Sequence, residues 1–278
     1  MTKKAGIVYC SPAGTTRHVA QVIEKELKSR NAEVLTADLA KGNGAEIISR
    51  IQAGEKTVLF IGSPVYAGRA IPPVMKFIAA LPKDANICAV PFVTYGCVSS
   101  GIALHDLGKA LTEKGSLLLG GAKVGAVHSM MWQSDEPLGK GHPNAEDDQM
   151  IRDLVGKVLA KADHSPCSCL ALSDLAYQPE NLQTEMAKVT LEAAKGHMPK
   201  KTVDEKRCTQ CGICAELCPV QTITLSPMPE FGKDCICCFN CVRECPENAI
   251  SADLAPVEKR IRDKAAKLAE QPVTKIFV

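Results

Sequence analysis

The chain has 278 residues, 46% of them hydrophobic and 23% charged, with a formal net charge of +2. That length supports two domains, or one core domain with a smaller appendage. A near-neutral balance without basic runs excludes the electrostatic footprint of a nucleic-acid or membrane-surface binder, and apolar stretches such as residues 58–61 and 87–93 are too short to span a bilayer.

The first residues are charged and lead directly into the apolar Ile7-Val8-Tyr9, without the apolar core and cleavage site of a secretory signal; a cytoplasmic location is the expectation. From residue 3 to about 161, short apolar runs alternate with helical stretches. Strands are expected over 5–10, 33–38, 57–62, 86–94 and 116–127, and helices over 15–29, 72–80, 101–114 and 145–162. Buried Val/Ile-rich runs alternating with helices predict an α/β doubly wound fold, a five-stranded parallel sheet covered on both faces. Ligands in such folds sit at the carboxyl ends of the strands.

The loop after the first expected strand is Ser11-Pro12-Ala13-Gly14-Thr15-Thr16, opening straight into a helix. Small and hydroxyl residues there aim backbone N–H groups and hydroxyls at one spot on the positive end of the helix dipole, which suits a phosphate. The lysine of a triphosphate loop is missing, and so is the dinucleotide spacing, since Ile47 stands where a third glycine would follow Gly42 and Gly44. A monophosphate fits better. The loops Pro64-Val65-Tyr66-Ala67-Gly68 and Thr94-Tyr95-Gly96-Cys97 reach the same edge, each setting an aromatic beside glycine, so that a flat ring can be approached by backbone and stacked upon.

Between the domains lies Cys167-Ser168-Cys169, readable as a dithiol, an extra metal site or plain linker, and then an expected helix over 179–195. Residues 128–148 form a long polar connection, a lid or a solvated loop.

Nine of the fourteen cysteines fall between Cys208 and Cys245. Cys208, Cys211, Cys214 and Cys218 with Pro219 read C-x2-C-x2-C-x3-C-P, and Cys235, Cys238, Cys241 and Cys245 with Pro246 repeat it at an offset of 27 residues, from 208 to 235. Lys206 with Lys233 and Ile223 with Ile250 obey the same offset, so the segment is an internal duplication. Iron in a cubane takes soft thiolates. Three cysteines at two-residue intervals wrap three corners of one cluster, and the fourth, before proline, reaches the other. This assigns Cys208, Cys211, Cys214 and Cys245 to one [4Fe-4S] cluster and Cys235, Cys238, Cys241 and Cys218 to its twin; structural zinc is the alternative. Cys237 falls outside the ligand count, either a small buried residue or a substitute ligand in a slipped loop. The tail over 256–271 spaces Val257, Ile261, Ala265 and Leu268 on one helical face, predicting that it docks on the body.

Residues 201–252 resemble bacterial-type ferredoxins with two clusters. Residues 3–162 resemble flavodoxins, whose T/S-x-T-G-x-T phosphate signature S-P-A-G-T-T follows except at Ala13, where one hydrogen bond of about 1 kcal/mol is lost. The resemblance implies FMN, its phosphate on Ser11, Gly14, Thr15 and Thr16 and its ring between the other two loops; a flavodoxin-like domain without flavin is the bland alternative. As a whole the chain resembles the flavodoxin–ferredoxin fusion proteins of anaerobic bacteria and archaea, the EFR family, with the flavodoxin-like part over 1–163, a linker with a helix over 164–200, the ferredoxin-like part over 201–252 and a tail over 253–278.

The resemblance implies electron transfer between FMN and the clusters, a conversion between one- and two-electron chemistry. Five basic residues against seven acidic ones in the ferredoxin-like part suit docking to a basic redox partner protein; a homodimer is compatible with the sequence. Two other readings stay open. In one, flavin reduces a small organic substrate, with His128, His142 or Tyr66 as proton donor. In the other, the clusters are structural.

Overall fold

The computed structural model describes residues 4–42, 44–52, 54, 56–163, 169–268 and 270–278. In the first half, β1 (Lys4–Tyr9) leads into α1 (Thr15–Ser29), and β2 (Glu33–Asp38) into α2 (Gly44–Gln52). The strand β3 (Thr57–Tyr66) folds back on β4 (Arg69–Ala70) ahead of α3 (Pro72–Ala80), and β5 (Ile87–Tyr95) precedes α4 (Ala103–Thr112). The short β6 (Leu117–Leu118), β7 (Gly121–Gly125) and α5 (Ala145–Asp163) complete this part.

Strands β2, β1, β3, β5 and β7 lie side by side in that order, all parallel. Every residue of β5 is buried, as a central strand covered on both faces requires. One face packs on Val19, Ile23 and Leu27 of α1 with Ile151, Leu154 and Val158 of α5. The other packs on Ile47 of α2, Phe77 and Ile78 of α3, and Leu104, Leu107 and Leu111 of α4. The strand order is that of the flavodoxin-like doubly wound fold, whose switch point falls between the first and third strands.

Several segments depart from the sequence expectation, which holds no element over α2 or β4. The strand expected over 57–62 continues to Tyr66, because Val65 and Tyr66 pair with Ala70 and Arg69 in a tight hairpin. Its two turn residues, Ala67 and Gly68, both have positive φ, 52° and 75°, as a type I′ turn demands. The strand expected over 116–127 is divided into β6 and β7.

The second half begins with α6 (Glu180–Lys188) and α7 (Leu191–Lys195), two helices where one was expected over 179–195. Next come β8 (Thr202–Val203), α8 (Ile213–Glu216), β9 (Ile223–Leu225), β10 (Pro229–Phe231), α9 (Asn240–Arg243) and β11 (Ile250–Ser251). The duplication is written in the backbone. Helix α8 maps onto α9 at the 27-residue offset, and so do three pairs of left-handed residues: Gln210 and Cys237 (φ 55° and 54°), Gly212 and Phe239 (79° and 54°), Gln221 and Asn248 (50° and 47°). The first strand pairs with the last, β8 with β11, and the inner two pair together, which is the exchange a two-fold repeat produces.

The tail folds into α10 (Ala255–Leu268), as its apolar stripe predicts, and then into β12 (Lys275–Phe277), which the sequence reading did not foresee. Strand β12 runs antiparallel to β7, Lys275 opposite Lys123 and Phe277 opposite Gly121, and so covers the sheet edge. The five parallel strands thereby gain an antiparallel neighbour at the β7 edge, and with the short β4 and β6 the sheet counts eight strands. Ahead of β12, Glu270 reaches the buried Lys123, with Oε1 2.5 Å from Nζ. A further apolar cluster of Phe239, Leu254 and Val257, joined by Met130, Trp132 and Met198, ties the two halves and the tail together.

Candidate functional site

A cleft of about 370 Å³ opens at the carboxyl ends of the parallel strands, at the switch point. Of the fourteen residues the sequence nominated there, Ser11, Ala13, Thr15, Thr16, Pro64, Val65, Tyr66, Ala67, Gly68, Thr94, Tyr95 and Gly96 line it. Gly14 and Cys97 do not. Gly14 serves the backbone instead, capping α1 with a left-handed φ of 89°, and the Cys97 Sγ is turned to donate to the Ala126 carbonyl at 3.6 Å.

At the floor, α1 starts with no side-chain cap and no acidic residue in its first turn. Its positive end thus carries no acid of its own, and the N–H groups of Thr15 and Thr16, ahead of the Arg17 N–H that Ser11 takes, are placed for an anion. Ser11 Oγ accepts from the Arg17 N–H at 2.9 Å, and the Thr16 and Thr94 hydroxyls lie 2.8 Å apart, which fixes the loop against the end of β5. Among the walls, the Tyr66 Oη is buried and makes no hydrogen bond of good geometry, although the Ser129 side chain lies near it; such an atom is of the kind that a bound ligand satisfies. Burial pushes its phenol well above the ordinary tyrosine range. His128 also lines the cleft, and burial holds its imidazole down at about 4; its Nδ1 accepts from the Met130 N–H at 3.3 Å. Gly96 makes room for that histidine, since a Cβ there would stand 2.4 Å from the ring. His142 is not on the cleft; its Nδ1 lies 2.6 Å from Asp147 Oδ2.

The far wall was not legible in the sequence. Met186 of α6, Leu191 of α7, Met198, Val257 and Ile261 of α10, and Ile236 with Cys237 of the second cysteine loop all face the cleft. The apolar stripe of α10 was visible as spacing; its target was not. The second half also grips the phosphate-type loop directly, for Arg243 Nη2 donates to the Pro12 carbonyl at 2.6 Å while its guanidinium lies 5.8 Å from the Trp132 ring centroid.

The cysteines gather in two further small cavities. Cys208, Cys211, Cys214 and Cys245 line one, and Cys218, Cys235, Cys238 and Cys241 line the other. Each cavity takes three thiols from one repeat and the fourth from its twin, the grouping the spacing predicted. Among the described residues no three His, Cys, Asp or Glu side chains stand close enough to share a single ion, so the thiols surround a void rather than a point. The cavities differ in exposure. Cys211 is exposed, whereas Cys218, Cys238 and Cys241 are buried. Burial raises the Cys238 thiol to about 11 and Cys241 to about 12. Cys235 goes the other way, to about 5, through its hydrogen bond with the Cys237 side chain and the nearby Lys201. Cys238, not Cys237, occupies the counterpart of Cys211, so the loop has not slipped. Cys169 is exposed, and Cys167 lies outside the described residues.

Fold and site together define a flavodoxin-like α/β domain joined to a duplicated cysteine domain. The 4Fe-4S binding domain family matches residues 201–224, so the second part is of ferredoxin type and the chain is a fusion of the two, the composition of an iron–sulfur electron-transfer protein. Among solved structures, the chain is similar to rubredoxin oxygen:oxidoreductase from the anaerobe Desulfovibrio gigas, at 19% identity over 64% of this chain and 38% of that one, with a TM-score of 0.46. It is similar also to a flavodoxin from the domain Archaea (20% identity, 58% of this chain, 99% of that one, TM-score 0.44) and to Flavodoxin 2 from Bacillus cereus (18%, 57% and 99%, 0.45). No curated protein matches the chain. No helix among the described residues is long and apolar enough to cross a membrane.

Proposed function

We propose that the protein relays electrons between FMN in the cleft and two [4Fe-4S] clusters, one in each cysteine cavity. The observation that carries this reading is the juxtaposition of the three sites: Ile236 and Cys237, from the loop that holds Cys235 and Cys238, are at once part of the flavin cleft's wall. Bound FMN would exchange one or two electrons and each cubane one, so the chain would convert between the two kinds of chemistry.

The donor sets fit these groups. Four thiolates and no other ligand type around each void suit a cubane, and the reciprocal crossing of Cys245 and Cys218 favours clusters over two separate zinc sites. In the cleft, Ser11, Thr15, Thr16 and the α1 N-terminus would hold the phosphate, and Tyr66 and Tyr95 would flank the ring. The cleft's volume lies within the range of small-molecule sites, roughly 300–1,000 Å³. His128, neutral at pH 7, would offer hydrogen bonding without charge.

Exposure orders the path. The cavity of Cys218, Cys235, Cys238 and Cys241 faces the flavin cleft, and that of Cys208, Cys211, Cys214 and Cys245 faces outward. Around the outer loop, Leu217 and Leu225 are exposed, 38% and 43%, and so are the acids Glu216, next to Leu217, and Glu247, on the same cavity as Leu225. An apolar centre in an acidic rim suits a basic redox partner. A cytoplasmic setting accords with free thiols in such number.

Iron, acid-labile sulfide and flavin per chain, measured after anaerobic purification, test the proposal. About eight iron atoms, from two four-iron clusters, are expected, with one FMN. In Cys245→Ser the cluster of the first repeat, not that of its own repeat, should be lost. Zinc in place of iron, or protein without flavin, overturns the reading.

A further inference from the structure

Of the positions at which the two repeats differ in charge, Lys201 lies against a ligand sulfur. Lys201 stands just ahead of β8, and its Nζ donates to the Cys235 Sγ at 3.3 Å. The ammonium is held there by two aromatic faces, 5.1 Å from the Phe231 centroid and 5.0 Å from that of Phe239. The Cys237 N–H donates to the same sulfur at 3.4 Å. At the 27-residue offset, the counterpart of Lys201 is Met228, which brings no charge and no side-chain donor. Among the described residues, no cation is seen donating to Cys208, Cys211, Cys214 or Cys245; the donors to sulfur in that set are backbone N–H groups, that of Ala249 to Cys245 Sγ at 3.3 Å and that of Ala215 to Cys214.

Hydrogen bonds to sulfur and local charge set the potential of an iron–sulfur cluster. Reduction adds one electron to the cubane; no bond forms or breaks and no proton is taken up. A cation in contact with a ligand sulfur attracts that added negative charge, so it favours the reduced state. The two clusters, nearly identical in their thiolates, would then differ in potential by what Lys201 contributes.

We propose that Lys201 is a potential-setting residue, which lifts the cluster of Cys218, Cys235, Cys238 and Cys241 above its twin and so draws electrons from the exposed cluster inward to the cleft. The proposal rests on the two-cluster reading above. The electron comes from a one-electron reductant at the outer loop, and the inner cluster passes it to the flavin. Lys201 lines the inner cysteine cavity and not the cleft, and it would act through the Cys235 sulfur.

The test is an anaerobic, EPR-monitored potentiometric titration of the complete holoprotein, with dithionite as reductant, for the wild type, Lys201→Met, Lys201→Arg and Met228→Lys. The wild type should show two unequal one-electron cluster steps. In Lys201→Met, which installs the residue of the twin position, the cluster of Cys218, Cys235, Cys238 and Cys241 should become at least tenfold harder to reduce, 59 mV for one electron, while its twin and the flavin stay put. Lys201→Arg should keep most of the wild-type value, and Met228→Lys should raise the other cluster. Unchanged potentials in Lys201→Met, or an equal shift of both clusters, overturns the proposal. If Lys201→Met fails to hold iron, an unshifted pair of potentials in Met228→Lys overturns it instead. Wild-type protein with a single cluster signal overturns the two-cluster reading, and the proposal with it, before any variant is compared.

Discussion

Replacing Glu270 by alanine should loosen the tail from the sheet, and the structure sets the size of the effect. Its carboxylate accepts from Lys123 Nζ at 2.5 Å, the Ser100 N–H at 2.7 Å, the Ser100 hydroxyl at 2.6 Å and Gln178 Nε2 at 2.9 Å. The Lys123 side chain is 1% exposed and that of Glu270 8%. Removing one partner of a buried pair leaves an uncompensated charge, a cost of about 3–5 kcal/mol. The rings of Tyr95 and Tyr177, with centroids 5.6 and 5.3 Å from the ammonium, offset about 1 kcal/mol of that. A net loss of about 2–4 kcal/mol lowers the midpoint of the sheet's thermal transition by about 4–16 °C in a protein of this size. Far-UV dichroism of anaerobic holoprotein at one scan rate reads the midpoint, and hydrogen exchange over residues 270–278 reads the local release. The paired change Lys123→Met with Glu270→Leu should recover most of the loss, because apolar substitutes leave no orphan charge. A drop under about 2 °C by the same scaling, or a double variant no better than the single one, refutes the reasoning. Acid should mimic the single variant. Burial alone would raise the Glu270 carboxyl, but the bonds from Lys123 and Ser100 outweigh it and hold the group below its ordinary value. Its stabilisation is therefore full above the unfolded glutamate value of about 4.3 and is lost as pH falls through the folded one.

Three further outcomes follow from the same geometry. Cys237→Ala should keep its full complement of iron, since Cys238 stands at the counterpart of Cys211; loss of about four atoms, one cubane, contradicts that register. Thr16→Val removes a hydroxyl that meets Thr94 at 2.8 Å on the cleft floor and should weaken FMN binding about tenfold, a hydrogen bond's worth of roughly 1–1.5 kcal/mol; an unchanged fluorescence titration of the flavin-stripped protein argues against the phosphate assignment. His128, held down at about 4 by burial, must stay neutral in the fold, so the unfolded chain binds the extra proton and stability should fall as pH drops from about 6.5 toward 4. His128→Asn should flatten that slope, and parallel pH profiles of the thermal midpoint contradict the burial argument.

Legibility tracked how local the cause is. Which cysteines line each cavity could be read from spacing, because the interval between them is fixed over a few residues and the 27-residue offset carries the pattern to the second repeat. The parallel sheet was legible too, since strands buried on both faces must be apolar throughout. What escaped were pairings across long sequence separations. Strand β12 is three residues long, too short for any periodicity, and it is stabilised by β7, some 150 residues earlier. The burial of Lys123 could not be foreseen, because a lysine in a strand normally marks solvent; only Glu270, in a tail already read as a surface helix, makes it tolerable. Gly14 was nominated for the ligand and serves the backbone, its left-handed φ being needed to turn the chain into α1. Cys97 shares the loop of Tyr95 and Gly96, yet its thiol turns toward Ala126.

Joining the two domains in one chain does more than tether them. A flexible linker gives its partners an effective concentration of about a millimolar, and the pair would still have to find one orientation among many for each transfer. Here Arg243 holds the Pro12 carbonyl, Phe239 packs with Val257, and Glu270 anchors the far end of the tail to β7, so the second cysteine loop is fixed against the cleft from three sides. On the relay reading the search is thereby removed from the inner transfer and left to the outer one, where Cys211 and the exposed leucines face solvent. That division explains why the two halves of a duplicated sequence have diverged in the way they have. Around the inner cavity the cysteines are mostly buried and Lys201 reaches in from the first repeat, while around the outer one an open thiol and exposed acids remain. Symmetry survives in the cysteines, where on the two-cluster reading iron would enforce it, and is lost in the residues around them, where direction would have to be encoded.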